Sequence, residues 1–343
     1  MKALFLVGSP FQCLCAFEAI NHYQISDSVF EIVSGNQSER DYQIFNLLNR
    51  KGYKFSKTEI RHSVLTPFVV RIRNVYYSFI RPYVFRNPIY DYLFIGDYRF
   101  GIDSGIQHLY EVRKGGKAVF LDDGAGTISV IKGLYKPSDP VKKIIKYYYR
   151  LCERNNIQTN IFFTIFSNLK SKDFILEKND FKSFQNEVLG SQQGAYIVGT
   201  FTDKYCRHQG IPIEVFLDQF SYLCKYLVES ISGGVTFIPH GRDKEPSIKK
   251  ICEQYYVTYK GIDTCIEDYL YSNKVNPKII IGYGSTALYS LKKMYPSAIV
   301  INILNNGSEI KAAENYKEIA KEYQQLGIHI ANTTEQVFKY IDK

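Results

Sequence analysis

The chain has 343 residues, 45% of them hydrophobic and 22% charged, with 29 Tyr, 23 Phe and no Trp. That length and balance support two domains of ordinary size, each with its own core, and exclude a disordered chain. The formal net charge of +9 points to an anionic partner, and charge alone leaves nucleic acid, an anionic lipid surface and a phosphorylated substrate open.

The opening MKALFLVGSPFQ is a short apolar run that Gly8-Ser9-Pro10 stops before it reaches signal-peptide or membrane-span length, so it reads as a first buried strand. Further apolar runs at 30–33, 92–95, 118–121 and 160–163 read as strands, the first one occupying 3–7, and segments 12–23, 39–48, 67–84 and 102–112 read as helices. A polar stretch, 171–193, separates this series from a second. There the expected strands are 195–198, 235–238, 257–259, 278–281 and 298–301, and the expected helices 212–230, 265–271, 285–294 and 310–326. Strands alternating with helices indicate parallel α/β architecture. The simplest layout is two consecutive Rossmann-like domains, 1–185 and 190–343, with a central cleft, which resembles the GT-B fold of glycosyltransferases.

No segment has the roughly 18 consecutive apolar residues that a spanning helix needs. The seven Cys, at 13, 15, 152, 206, 224, 252 and 265, show no CxxC or Cys/His metal spacing. This is the pattern of reduced, mostly buried thiols in a cytoplasmic protein. One tract is basic and aromatic, VRIRNVYYSFIRPYVFR at 70–86, echoed by KKIIKYYYR at 142–150. Such a tract fits peripheral contact with an anionic bilayer or a surface helix with an aromatic inner face. No recognised nucleic-acid motif accompanies the charge, so nucleic acid is set aside.

Several short motifs sit where strands end, the places at which open α/β sheets bind ligands. In the second half, Gly282-Tyr283-Gly284-Ser285-Thr286 turns from a strand into a helix whose free N–H groups and two hydroxyls suit a single phosphate. Ile266-Glu267-Asp268-Tyr269 puts a carboxylate near that edge, suited to ribose hydroxyls. Pro239-His240-Gly241-Arg242 follows another strand, with His240 placed to meet an anionic leaving group. None of the other five His pairs with it at metal-ligand spacing. In the first half, Asp122-Asp123-Gly124 closes a strand and offers a general base, although Asp-Asp-Gly is also good turn chemistry. Asp203, just past Gly199 and the first strand of the second series, is a third acidic candidate and equally a helix cap. Gly8, Ser9 and Gln12, after the first strand, are expected to touch a sugar.

Taken in order, "FLDDGAGT", "VGTFTDK", the "PH" pair, "IEDY", "NP", "GYGSTAL" and "YP" resemble the glycosyltransferase family 52 bacterial sialyltransferases, over about residues 93–300. The resemblance implies an inverting, metal-independent GT-B enzyme that moves sialic acid from CMP-sialic acid to a terminal sugar of lipooligosaccharide, O-antigen or capsule. It implies that His240 serves the departing phosphate and Asp203 is the base, whereas related bacterial sialyltransferase families place the base in the Asp-Asp-Gly motif, so Asp122 and Asp123 compete. It implies a homodimer, no cofactor beyond the CMP-sialic acid donor, and an acceptor oligosaccharide on a lipid or polysaccharide carrier. The cytoplasm, at the inner face of the membrane, is the expected location. The alternatives are a GT-B transferase for another nucleotide sugar and a non-catalytic glycan- or nucleotide-binding protein.

Overall fold

A computed structural model describes residues 1–34, 38–59, 72, 76, 80, 87–166, 168–185, 192–304 and 312–342. The expected helix 67–84 and the tract 70–86 lie outside the described residues at all but three positions. The chain divides into two compact units, Met1–Asp180 and Phe181–Lys343. Residues 181–185 pack with the second unit, where Phe184 meets Tyr271 edge-on at 5.0 Å and Gln185 Nε2 donates to Lys293 O.

The first unit is a seven-stranded parallel sheet: β1 (Lys2–Val7), β2 (Asp27–Ser34), β3 (Lys54–Glu59), β4 (Tyr90–Ile95), β5 (Val112–Leu121), β6 (Gln158–Thr164) and β7 (Ile175–Lys178). Their spatial order is β3-β2-β1-β4-β5-β6-β7. The inner strands are continuous apolar runs because helices cover both faces. On one face Phe5 stacks between Phe30 and Phe94, at 4.9 and 4.5 Å, in register across three strands. The other face carries Leu4, Leu6, Leu93, Ile95, Phe120 and Phe162.

The second unit repeats the plan with β8 (Gln193–Val198), β9 (Val235–Ile238), β10 (Thr258–Tyr259), β11 (Pro277–Gly282), β12 (Ile299–Ile303) and β13 (His329–Ala331). The order is β10-β9-β8-β11-β12-β13, all parallel. In both sheets the order reverses beside the first strand, which creates a switch point at β1/β4 and another at β8/β11.

The structure differs from the sequence reading in two respects. The stretch expected as one helix, 102–112, is a helix only over Ile102–His108; a 3-10 turn, Leu109–Glu111, follows and β5 begins at Val112. The strands not anticipated, β3, β7 and β13, are edge strands, where one neighbour suffices and polar residues are tolerated, so KFSKTE and ILEK lack an apolar signature.

Candidate functional site

Register decides which loops meet. In the first sheet Leu6, Ile95, Phe120 and Phe162 pair in one row, so the segments after β1, β4, β5 and β6 leave the sheet side by side. Ser9 caps the helix Pro10–His22 by accepting from Gln12 N at 3.2 Å. Gln12 Oε1 accepts from Gly8 N at 2.7 Å, and its Nε2 donates to Asp123 Oδ1 at 2.8 Å. Opposite, Gly96 has no room for a side chain, since a Cβ there would lie 2.2 Å from Gln12 Oε1 and 2.8 Å from Leu6 O.

The two adjacent carboxylates part company. Asp122 is fully buried, where it accepts from the Thr164 hydroxyl at 2.6 Å and from Ile165 N at 2.7 Å. Burial pushes its pKa up to about 7, against the pull of those hydrogen bonds. It ties β5 to the end of β6, and with no exposed surface it has no path to a substrate proton.

Asp123 turns the other way, with its side chain 19% exposed. Arg99 donates to its Oδ2 and also holds Asp97, through Nε to Oδ1 and Nη2 to Oδ2, each at 3.2 Å. The guanidinium lies against Gly126, where a Cβ would approach it to 2.4 Å. Burial first, and then the Asp97 charge, raise the Asp123 pKa to about 7, while Arg99 and the Gln12 amide pull it down. Gly124, at φ 60° and ψ −128°, sits in a region that favours glycine and lets the chain turn into the helix Ala125–Ile131. Asp97 and Arg99 escaped the sequence reading. The available signal was a Gly-Asp-x-Arg segment at the end of an apolar strand, and only the strand order brings it beside β1 and β5.

In the second sheet Ile238, Val198, Gly282 and Asn302 form the corresponding row. Gly199 leaves β8 flat against Pro239 and His240, because a Cβ on it would stand 2.7 Å from His240 N and 2.9 Å from Pro239 Cα. His240 Nδ1 accepts from Arg242 N at 3.1 Å, which leaves the ring proton of the neutral imidazole on Nε2. The His240 ring runs parallel to that of Phe201 at 6.5 Å, and the Arg242 guanidinium lies 5.9 Å from the Phe201 centroid.

Gly284 adopts φ +64° and donates its N–H to Asn302 Oδ1 at 2.8 Å. Asn302 is fully buried, and its Nδ2 has no partner among the described residues. The following helix is Ala287–Met294, with Thr286 at the cap and Ser285 Oγ 3.4 Å from Ala287 N. Tyr323 fixes this turn by donating to Ser285 O at 2.9 Å. Ser285 and Thr286 are half-buried, whereas Tyr283 is a core residue packed edge-on against Phe216 at 5.0 Å. Tyr283 therefore offers a ligand its backbone only.

Ile266 and Glu267 are also interior, at 6% and 2% exposure. Ser290 donates to Glu267 Oε1 at 2.6 Å, and burial raises the carboxyl's pKa. Glu267 thus fastens its helix, Ile266–Ser272, to the helix that Ser285 and Thr286 introduce. Asp203 is not a helix cap. It lies in the first turn of Thr202–Gln209, its side chain 60% exposed and paired with Arg207 at 2.5 Å. Asp243 serves the helix start instead, accepting from Thr202 N at 3.2 Å and from Thr202 Oγ1 at 2.8 Å.

Among the described residues no group of three or more His, Cys, Asp or Glu could hold a metal ion, and no helix is long and apolar enough to cross a membrane. No family model and no curated protein matches the chain. Solved structures do. MurG from Acinetobacter baumannii aligns at TM-score 0.50 and 10% identity, over 100% of this chain and 91% of that one. A UDP-N-acetylglucosamine 2-epimerase aligns at 0.50 and 9%, over 94% and 87%. An alpha/beta-galactoside alpha-2,3-sialyltransferase from Photobacterium phosphoreum aligns at 0.45 and 12%, over 96% and 98%. MurG and the epimerase are GT-B folds with two Rossmann-like domains, and this chain shares that fold class.

Proposed function

We propose that the protein is an inverting glycosyltransferase that transfers sialic acid from CMP-sialic acid to a hydroxyl of a bacterial surface glycan, in the manner of the family 52 enzymes its motifs resemble. The observation that carries this reading is the row at the carboxyl edge of the second sheet, where His240 and the Gly284–Thr286 turn leave strands flanking or containing the switch point. An imidazole with Nε2 as donor, a helix start and two hydroxyls match the charge of one departing phosphate. The scheme requires no metal.

In the proposed reaction the bond from the anomeric carbon to the phosphate oxygen breaks and CMP leaves with that electron pair. The acceptor oxygen bonds the anomeric carbon from the opposite face, and its proton passes to a carboxylate. Asp123 is the favoured base. It is oriented by Gln12 and Arg99, remains reachable, and has a pKa near the working range. Asp122 is sealed, and Asp203 stands in an exposed ion pair. Donor chemistry thereby falls to the second unit and acceptor chemistry to the first. Glu267 enters as the support of the phosphate helix. The same reading carries a carrier-linked oligosaccharide acceptor, a cytoplasmic site of action at the membrane's inner face, and a homodimer.

The test is incubation of purified protein with CMP-sialic acid and a galactoside acceptor in EDTA, followed by chromatography of CMP and product. Donor left intact with every acceptor would sink the sialyl reading. Turnover of a UDP- or GDP-sugar instead would favour a second reading as a transferase for another nucleotide sugar. That alternative gains from the fold likeness to an epimerase named for a UDP-linked sugar. Binding without turnover of any donor would leave a non-catalytic nucleotide-binding protein.

A further inference from the structure

The echo of the basic-aromatic tract, residues 142–150, does not form a plain outer surface. Lys142, Lys146 and Tyr149, on the helix Asp139–Arg154, line a pocket of about 670 Å³ in the first unit. Its other walls include Tyr98, Tyr135 and Phe174, with one exposed carboxylate, Asp173, against the three lysines Lys142, Lys146 and Lys172. Tyr98 stands edge-on to Phe120 at 5.0 Å and to Phe174 at 5.5 Å, and the Tyr149 hydroxyl donates to the Tyr98 hydroxyl at 3.4 Å. These contacts fix two rings and two phenols in place.

Two further observations bear on the ligand. Lys142 is paired with Asp139 at 2.9 Å, but Lys146 and Lys172, both lining the pocket, have no ion-pair partner among the described residues. Asn160, also in the lining, has φ +65° and lies where the β5–β6 register slips between Lys117 and Val119. A bulge of this kind re-aims a side chain, and Asn is among the residues that accept the left-handed conformation. It supplies the pocket with an amide donor and acceptor.

We propose that this pocket binds a pyranose that carries an anionic group, a carboxylate or a phosphate. Aromatic faces take the C–H side of a sugar ring, the phenols and the Asn160 amide match its hydroxyls, and the two lysines meet the negative charge. A concave site lined by aromatic rings, lysines and one amide suits a saccharide better than a flat bilayer surface. Binding here is independent of the donor chemistry, so failure of the sialyl assay leaves the following experiment intact.

The purified full chain is titrated calorimetrically at ~150 mM salt with tri-galacturonate and with glucosamine 1-phosphate, against maltotriose and inorganic phosphate as controls. At least one anionic sugar binds more tightly than both controls. Combined Lys146→Ala and Lys172→Ala, both at exposed positions, weakens it about tenfold, and Tyr135→Ala weakens it independently. Thermal melts confirm that the variants remain folded. Binding of tri-galacturonate alone assigns a carboxylated sugar, and binding of glucosamine 1-phosphate alone assigns a sugar phosphate. The proposal is overturned if neither exceeds the controls, or if the lysine variant binds as well as the parent.

Discussion

Gln12 Nε2 donates to Asp123 Oδ1 at 2.8 Å, joining the first turn of the helix Pro10–His22 to the loop after β5, 111 residues further along the chain. Gln12 can do so because its other amide atom is already anchored on Gly8 N. With Arg99 on the second carboxylate oxygen, Asp123 is oriented before any substrate arrives, which is the preorganisation a general base requires.

A base acts deprotonated, so kcat/KM should climb with pH and level off above about 7. Asp97 raises the Asp123 pKa and Arg99 lowers it. Asp97→Asn therefore moves the acid limb of the profile to lower pH, and Arg99→Met moves it to higher pH. Asp123→Asn lowers kcat by roughly 10² to 10⁴-fold while near-UV dichroism stays unchanged. Profiles of the two charge variants that shift the same way, or not at all, would remove Asp123 from the role.

The paired series of apolar runs made both doubly wound units legible, because buried parallel strands have no polar face to confuse the pattern. Edge strands such as β3, with its sequence KFSKTE, carry no such mark. The motifs at strand ends were legible as locations more than as side-chain orientations. Neighbouring Asp122 and Asp123 point to opposite environments, and Tyr283, inside a loop motif, is core. Arg99 and Asp97 were illegible for another reason. Their partner Asp123 lies a strand and a helix further on, and only the β1-β4-β5 order brings them together.

Asp122 has a consequence for stability. Its folded pKa, about 7, lies above that of an unfolded carboxyl, so folding favours its protonated form. That contribution is fully present below about pH 4 and is lost as pH rises through about 7. Asp122→Asn keeps a neutral side chain able to accept from Ile165 N and donate to Thr164. Urea unfolding at pH 5 and pH 8 should show a parent that loses about 1–3 kcal/mol more than the variant between the two. Equal losses would show that burial of Asp122 is not what limits stability at high pH.

Asn302 and Gly284 separate support of the phosphate turn from its charge. Asn302→Leu orphans the Gly284 N–H and should cost about 1–3 kcal/mol in urea unfolding. Asn302→Asp retains the acceptor but places a carboxylate behind a turn proposed to hold phosphate. Its KM for the nucleotide donor should rise about tenfold with kcat much less affected. If both variants raise KM equally and in proportion to lost stability, the residue only shapes the turn.

His240 permits a sharper division, because its two nitrogens have different tasks. Nδ1 accepts from Arg242 N and holds the loop, and the proposed reaction assigns Nε2 to the leaving phosphate. In His240→Asn the Oδ1 atom can replace Nδ1 as the acceptor, and nothing replaces Nε2. The variant should keep its melting temperature within about 2 °C of the parent, as expected for a change below ~1 kcal/mol, yet lose roughly 10² to 10⁴-fold in kcat. Gly199→Ala makes the complementary change. It leaves the imidazole intact but drives a Cβ to 2.7 Å from His240 N, so it should lower both stability and kcat. A His240→Asn enzyme of full activity would show that the imidazole only holds its loop, and the phosphate would then have to be met by the Gly284–Thr286 turn without it.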